Sequence, residues 1–343
     1  MRGELSASKW RGVQLYQSTA RWTYEAAFSL LRAMQTLPLG RSELRVSRLA
    51  YGCWRIARTN DAALDQQAAR EAIVAALEAG YTLFDLADIY CGGRAEEVFG
   101  HVLRDLPGER SRMIIATKCG IRFQGDPAPE APYRYDASRE YVIQQCDQSL
   151  RRLGVEYIDL FQLHRPDWLM DPAAVADAFR QLLDSGKVHE FGVSNFSVSQ
   201  VELLQSALPR PLVSNQIEIS LCQLSPFIDG SLDLCLREKI TPLAWSPLGG
   251  GLLADGATEI LRHQRAYRVA DLIGVLNEVA DVRGEWRDVI ALAWLLQHPS
   301  GIIPIIGSTR PTRIHAAARA AQLQLTREEW YRLLIAARGE PLP

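Results

Sequence analysis

The sequence predicts an α/β protein, a (β/α)8 TIM barrel with extended βα loops over its C-terminal face. Three observations predict it. Short β-rich apolar runs alternate with longer amphipathic stretches, the order that builds a parallel sheet. The strand-like runs number eight, which closes a barrel in a chain of this length. Finally, Asp85, Lys118 and His164 each end such a run, spaced by 33 residues (85 to 118) and 46 residues (118 to 164). Each interval is about one strand–helix unit, so their side chains converge on the face where barrel enzymes do chemistry.

The expected strands are Leu49–Trp54, Thr82–Leu86, Met113–Lys118, Ile158–Leu163, Glu190–Val193, Leu212–Gln216, Thr241–Trp245 and Ile302–Ile306. Helical patterns fall between them, for example Gln67–Ala79, Arg139–Leu153, Pro172–Asp184 and Val198–Ala207. Asp171-Pro172 reads as an N-cap followed by proline at the first helical position. Gly80, Gly154 and Gly186 each follow a helical pattern, as C-terminal caps do. A doubly wound sheet is the alternative, but it carries a glycine-rich fingerprint after its first strand. Here that position reads Trp54-Arg55-Ile56-Ala57. Two connections are long, Cys119–Ala137 and Gly249–Arg268. Both follow strands, as substrate loops and lids do.

Composition excludes several function classes. A net charge of −2 gives no reason to expect nucleic acid or an anionic membrane as partner. No apolar run approaches the length of a membrane span. The six cysteines are scattered with no C-x-x-C pair, which favours reduced thiols in a cytoplasmic protein over disulfides or a zinc site. Residues 1–33 read as a poorly ordered extension, with Met34 as an alternative start that opens a hairpin, and 34–343 as one barrel domain. Glu4 and Glu25 argue against a transit peptide there.

The chemistry rests on Asp85, Tyr90, Lys118 and His164. A phenol of ordinary pKa about 10 is a weak acid at neutral pH. A nearby ammonium lowers that pKa, and Lys118 can supply it, with Asp85 holding the lysine charged and aimed. A donor nearer working pH is a better general acid. His164 can orient a carbonyl oxygen through a second hydrogen bond. The set solves the electrophilic half of carbonyl reduction; the hydride must come from a cofactor, because no side chain supplies one.

This arrangement resembles the aldo-keto reductases, from about Leu37 to the C-terminus. Leu49-Ala-Tyr-Gly-Cys-Trp54, Phe84–Tyr90, Ser194-Asn195, Trp245-Ser-Pro-Leu-Gly-Gly-Gly251 and Pro304-Ile-Ile-Gly-Ser308 are most similar to the bacterial YdhF-like oxidoreductases of that family. The resemblance implies Tyr90 as general acid, tuned by Asp85 and Lys118, with His164 positioning the carbonyl. It implies that Ser194, Asn195 and Gln216 hold a nicotinamide carboxamide and that Trp245 stacks on the ring. Ser246, Leu248 and Gly249 match the pyrophosphate strap, where glycine lets the backbone approach. Ser308, Thr309 and Arg313 match the adenosine 2′-phosphate end, and a guanidinium suits bidentate phosphate recognition. Trp54 matches a wall of the substrate pocket. Gly307 stands where many members have lysine, and Ala316 and Ala317 where many have Asn or Glu. NADP(H) is the expected cofactor, with NAD(H) as the alternative, and a small carbonyl compound the expected substrate.

His101, His189, His263, His298 and His315 read as surface or packing residues, Asp88 as a cap, and Cys53, Cys91 and Cys119 as small packing residues. Arg165 reads equally as a substrate contact or half of an ion pair. A barrel hydrolase or lyase lacks its metal-ligand cluster or paired carboxylates here. The alternative function is a cofactor-binding redox sensor on the same barrel with little turnover. Pocket specificity is expected in 122–135 and 252–268, which carry no readable code.

Overall fold

The structure is a computed structural model that describes residues 34–59, 61–254 and 261–343. The expectations for residues 1–33 lie outside the described residues. Eight parallel strands close a barrel: β1 (Ala50–Gly52), β2 (Leu83–Asp85), β3 (Ile114–Cys119), β4 (Ile158–Leu163), β5 (Val188–Ser194), β6 (Ser214–Glu218), β7 (Thr241–Trp245) and β8 (Ile303–Ile306). Each pairs with its sequence neighbour, and β8 returns to β1 with Ile306 opposite Tyr51.

Helices alternate with the strands: α1 (Ala62–Glu78), α2 (Arg94–Arg104), α3 (Arg139–Leu153), α4 (Pro172–Asp184), α5 (Val198–Ala207), α6 (Ser231–Glu238), α7 (Ala270–Arg283), α8 (Arg287–Leu296), α9 (Pro311–Ala318) and α10 (Arg327–Arg338). Helices α3, α4 and α5 fall where the apolar spacing puts them. Asp171 caps α4 by accepting from the Ala173 amide at 2.9 Å, with Pro172 in the first turn. Helix α1 begins five residues earlier than its periodicity suggests, at 62 rather than 67. Asp61 explains this, because its carboxylate accepts from Ala63 and Leu64 at 2.9 and 3.1 Å and so nucleates the first turn.

The first strand is shorter than expected because Cys53–Arg55 turns into a single 3₁₀ turn. The sixth is shifted toward the C-terminus, ending at Glu218 rather than Gln216. The loop after β3 is not structureless: Ile121–Arg122 pairs antiparallel with Arg134–Tyr135.

Two apolar layers hold the barrel. Outward-facing strand residues such as Ile115, Phe161 and Val193 pack under the helices. Inside the barrel, Ala50, Leu83, Ala116, Leu160, Leu243 and Ile303 form a separate cluster near the strand starts. Leu39 and Val46 join that cluster from a short antiparallel hairpin, Thr36–Pro38 with Arg45–Ser47. The Gly40 amide donates to Thr241 Oγ1 at 2.7 Å, pinning the hairpin to the start of β7. With the floor filled, the opposite end of the barrel is left to carry the site. No described helix is long and apolar enough to cross a membrane.

Candidate active site

The four residues singled out by spacing meet at the C-terminal ends of β2, β3 and β4. Lys118, fully buried on β3, directs its ammonium to three acceptors. It donates to Asp85 Oδ2 at 2.9 Å, to the Leu86 carbonyl at 2.7 Å and to the Tyr90 hydroxyl at 3.0 Å. These use all three of its donors. Tyr90 follows β2 on a tight turn, where Cys91 adopts a left-handed conformation at φ +52°. His164 is the first residue beyond β4, held through its amide by the Cys119 carbonyl at 2.7 Å. Its ring stands edge-on to Tyr90, with centroids 5.9 Å apart. Trp54 lies on the other side of Tyr90, 6.4 Å between centroids.

Electrostatics differ from the simplest expectation. Burial pushes the Tyr90 phenol up to about 12; Lys118 pulls it down but does not win. The phenol therefore holds its proton through neutral pH. Burial works to lower the Lys118 pKa, yet Asp85 and Tyr90 together raise it above its ordinary value, so the lysine stays charged. Burial, followed by the charges of Lys118 and Arg165, holds His164 well below the ordinary histidine range. Its ring is neutral, carries one N–H, and has no hydrogen-bond partner for Nδ1.

The strand ends from β4 to β7 form one polar network. Ser194 donates to the Gln216 carbonyl at 2.8 Å and accepts from Asn195 Nδ2 at 2.8 Å. Asn195, at φ +61°, also reaches the His164 carbonyl at 3.3 Å. Trp245 donates its indole N–H to Asn195 Oδ1 at 3.0 Å, which fixes the plane of its half-buried ring. Gln216 gives its amide nitrogen to Asp85 Oδ1 at 2.7 Å, so it also orients the carboxylate of the central pair.

Beyond β7 the chain turns at Ser246 (φ +49°) and then at Gly249, Gly250 and Gly251, all at positive φ. The Leu248 carbonyl accepts from Gly251 and Leu253 in this turn. A Cβ on Gly249 would lie 3.1 Å from Cys222 Sγ. The left-handed backbone of all three positions favours glycine, which lets this turn close without strain. Beyond β8, Ser308 accepts from the Arg310 amide at 3.2 Å. Thr309 follows, and Arg313 sits in the first turn of α9. These three lie apart from the Tyr90 cluster, at the β8 side of the face.

Gly307 acquires a reason. A Cβ there would lie 2.9 Å from Arg55 Nη1, and Arg55 donates to the Gly307 carbonyl at 3.3 Å. A cation from the β1 loop occupies the place of a side chain at 307. Arg55 and Arg58 also lie over the Trp54 ring, at 5.2 and 4.8 Å.

His263, expected as a surface or packing residue, is half exposed and has a partner besides: its Nε2 lies 2.7 Å from Glu218 Oε2, and its ring stands edge-on to Trp245 at 6.3 Å. Gln264 donates to the same carboxylate at 2.6 Å. Glu218 was legible in principle, since it lies two residues past Gln216 and shares its strand face. Asp88 is buried; its carboxylate takes a hydrogen bond from the Ile89 backbone, as a loop cap does, while Oδ1 is left unpartnered, and burial and then Glu96 push its carboxyl well up. All six cysteines are free, and no metal-binding cluster occurs among the described residues.

A closed parallel barrel thus presents, at the C-terminal ends of its strands, a charged lysine held between a carboxylate and a phenol. The aldo/keto reductase family model matches residues 48–337, and the chain belongs to that family. It is 43% identical to a 6-dehydroglucose reductase of Novosphingobium aromaticivorans over 89% of this chain and 96% of that protein. It is 40% identical to the oxidoreductase YdhF of Escherichia coli over 87% of this chain and 95% of that protein. Among solved structures, the thermostable aldo-keto reductase Tm1743 with the inhibitor epalrestat has a TM-score of 0.74 at 25% identity, covering 88% of this chain and all of that one.

Proposed function

We propose that the protein reduces an aldehyde or ketone to an alcohol with a nicotinamide dinucleotide, NADP(H) before NAD(H). The observation that carries the reading is the Lys118 ammonium bridging Asp85 and the Tyr90 hydroxyl beside a neutral imidazole. The residues fit such a cofactor. The Trp245 ring is fixed by Asn195, a turn of three left-handed glycines follows it, and Arg313 sits at the start of α9. When bound, the reduced nicotinamide supplies a hydride to the carbonyl carbon.

Tyr90 gives its proton to the carbonyl oxygen as that oxygen gains charge. Lys118 steadies the phenolate left behind, and Asp85, itself held by Gln216, keeps the lysine charged and aimed. His164 donates its single N–H to the same oxygen and fixes the carbonyl's direction. Ser194 and Asn195 frame the carboxamide end, Ser246, Leu248 and Gly249 the pyrophosphate, and Ser308, Thr309 and Arg313 the 2′-phosphate. Arg55, over Gly307, adds a second cation on that side. Trp54 walls the substrate side of Tyr90.

Two relatives bear the name 6-dehydroglucose reductase, at 43% and 37% identity. A polyhydroxylated aldehyde is therefore the first substrate to test. NADPH and NADH oxidation should be screened against aldehydes, ketones and quinones. The reading expects turnover of at least one aldehyde with NADPH; bound cofactor with no oxidation across the whole panel overturns it in favour of a sensor.

A further inference from the structure

We propose that Arg165 is the specificity-determining residue of the carbonyl site. It selects substrates that carry acceptor oxygens, hydroxyl, carboxylate or phosphate, a few bonds from the reacting carbonyl. This rests on the carbonyl-reductase reading above and goes beyond it by naming the substrate class.

Arg165 directly follows His164 at the mouth of the barrel and is half-buried. Its backbone is anchored on both sides. His164 is held through its amide by Cys119 and through its carbonyl by Asn195. Two residues on, Asp167 accepts from the Ala137 amide at 2.9 Å, tying this loop to the hairpin that follows β3. Pro166 restricts Arg165 further, since the residue before proline is confined to extended conformations. The guanidinium thus starts from a fixed point between the catalytic imidazole and the hairpin. It lies close enough to both His164 and the Tyr133 phenol to act on each electrostatically.

What sets it apart is the lack of a partner. Arginines around it are satisfied: Arg122 pairs with Asp126 and Asp136, and Arg134 donates to the Asp126 carbonyl. Arg139 pairs with Asp177, and Arg152 with Glu96. Arg165 makes no hydrogen bond or ion pair with any described residue. A planar group of five donors, held half out of water without an acceptor, is arranged for a ligand's oxygens. An acceptor found there gains a charge-assisted bond, with the backbone already pinned and only the side chain left to order.

The hairpin to which Asp167 ties this loop carries an aromatic ladder. Phe123, Tyr133 and Tyr135 form a ladder with ring centroids 6.3 and 6.0 Å apart, and the first two are about half exposed. An aromatic face beside a forked donor fits a substrate with a C–H-rich body edged by oxygens.

The test uses the full chain with NADPH and matched aldehydes: glyceraldehyde, glyceraldehyde 3-phosphate and propanal; succinic semialdehyde and butanal. The proposal expects at least one oxygen-bearing member to exceed its alkyl partner in kcat/KM by tenfold or more. Which member leads tells hydroxyl, phosphate and carboxylate recognition apart. Arg165→Met should collapse that ratio at least tenfold, mainly through KM, and Arg165→Lys should restore part of it. Equal efficiency across both sets in the wild type, or a ratio unmoved in Arg165→Met, overturns the proposal. Reduction of no aldehyde at all would instead sink the underlying reading, so the two failures are distinguishable.

Discussion

Lys118→Met isolates the group on which the site is built. Methionine matches the length of the side chain but removes the charge and all three hydrogen bonds. Asp85, buried on β2, then keeps only the amide of Gln216 as a partner. Breaking a buried ion pair by removing one member costs about 3–5 kcal/mol, because the remaining charge is left uncompensated. The orphaned Leu86 carbonyl adds roughly 1–3 kcal/mol. Together these amount to about 4–8 kcal/mol, a fall in Tm of roughly 6–11 °C for a chain of 343 residues, whose unfolding entropy is about 0.7 kcal/mol/K. The double variant Asp85→Asn with Lys118→Met removes the stranded charge and should recover roughly half of the loss. Denaturant unfolding of the variants, followed by circular dichroism, measures both numbers. Turnover should also drop by about a hundredfold or more, since the phenol loses the cation that draws its pKa down toward working pH. A single variant within about 1 kcal/mol of wild type, or no recovery in the double, would refute the claim that the pair is buried and mutually dependent.

Acid sensitivity follows from His164. Its folded pKa is depressed well below the ordinary value, so below about pH 6.5 the unfolded chain binds a proton that the folded chain refuses. Stability should fall on acidification by up to about 1.4 kcal/mol per pH unit from this group, and His164→Gln should flatten that slope in denaturant titrations at pH 5–7. Arg313→Leu should raise the Kd for NADPH about tenfold or more and that for NADH much less, read by fluorescence titration. Gly192→Ala tests the barrel itself. A Cβ there would lie 2.1 Å from Ser214 Oγ between β5 and β6, so stability should fall by about 1–3 kcal/mol with the Tyr90 cluster chemically unchanged.

The barrel was legible because its strands, buried by helices outside and by their own layer inside, read as apolar runs with turns between them. Phe84-Asp85 and Ile115–Lys118 show how: the apolar run marks the strand, and the polar residue marks its end. What stayed hidden was set by contacts across distant segments. Nothing in Gly307 announces that Arg55 crosses it, because the two meet only when β8 closes on β1. Burial likewise reverses the direction of the Tyr90 shift expected from Lys118 alone, and burial is a property of the folded barrel. His263 looked unpartnered because Glu218, its partner, lies 45 residues away. The hairpin after β3 was hidden for another reason, being two residues per strand and too short for a periodic signal.

The most direct test of the account is Tyr90→Phe. The phenyl ring keeps the contacts with Trp54 and His164 and removes only the hydroxyl that receives Lys118. Single-turnover reduction of an aldehyde should be measured beside NADPH affinity and unfolding midpoint. The account predicts an intact fold, cofactor binding within a few-fold of wild type, and carbonyl reduction lower by about 10²–10⁴. Near-normal reduction in that variant would contradict it.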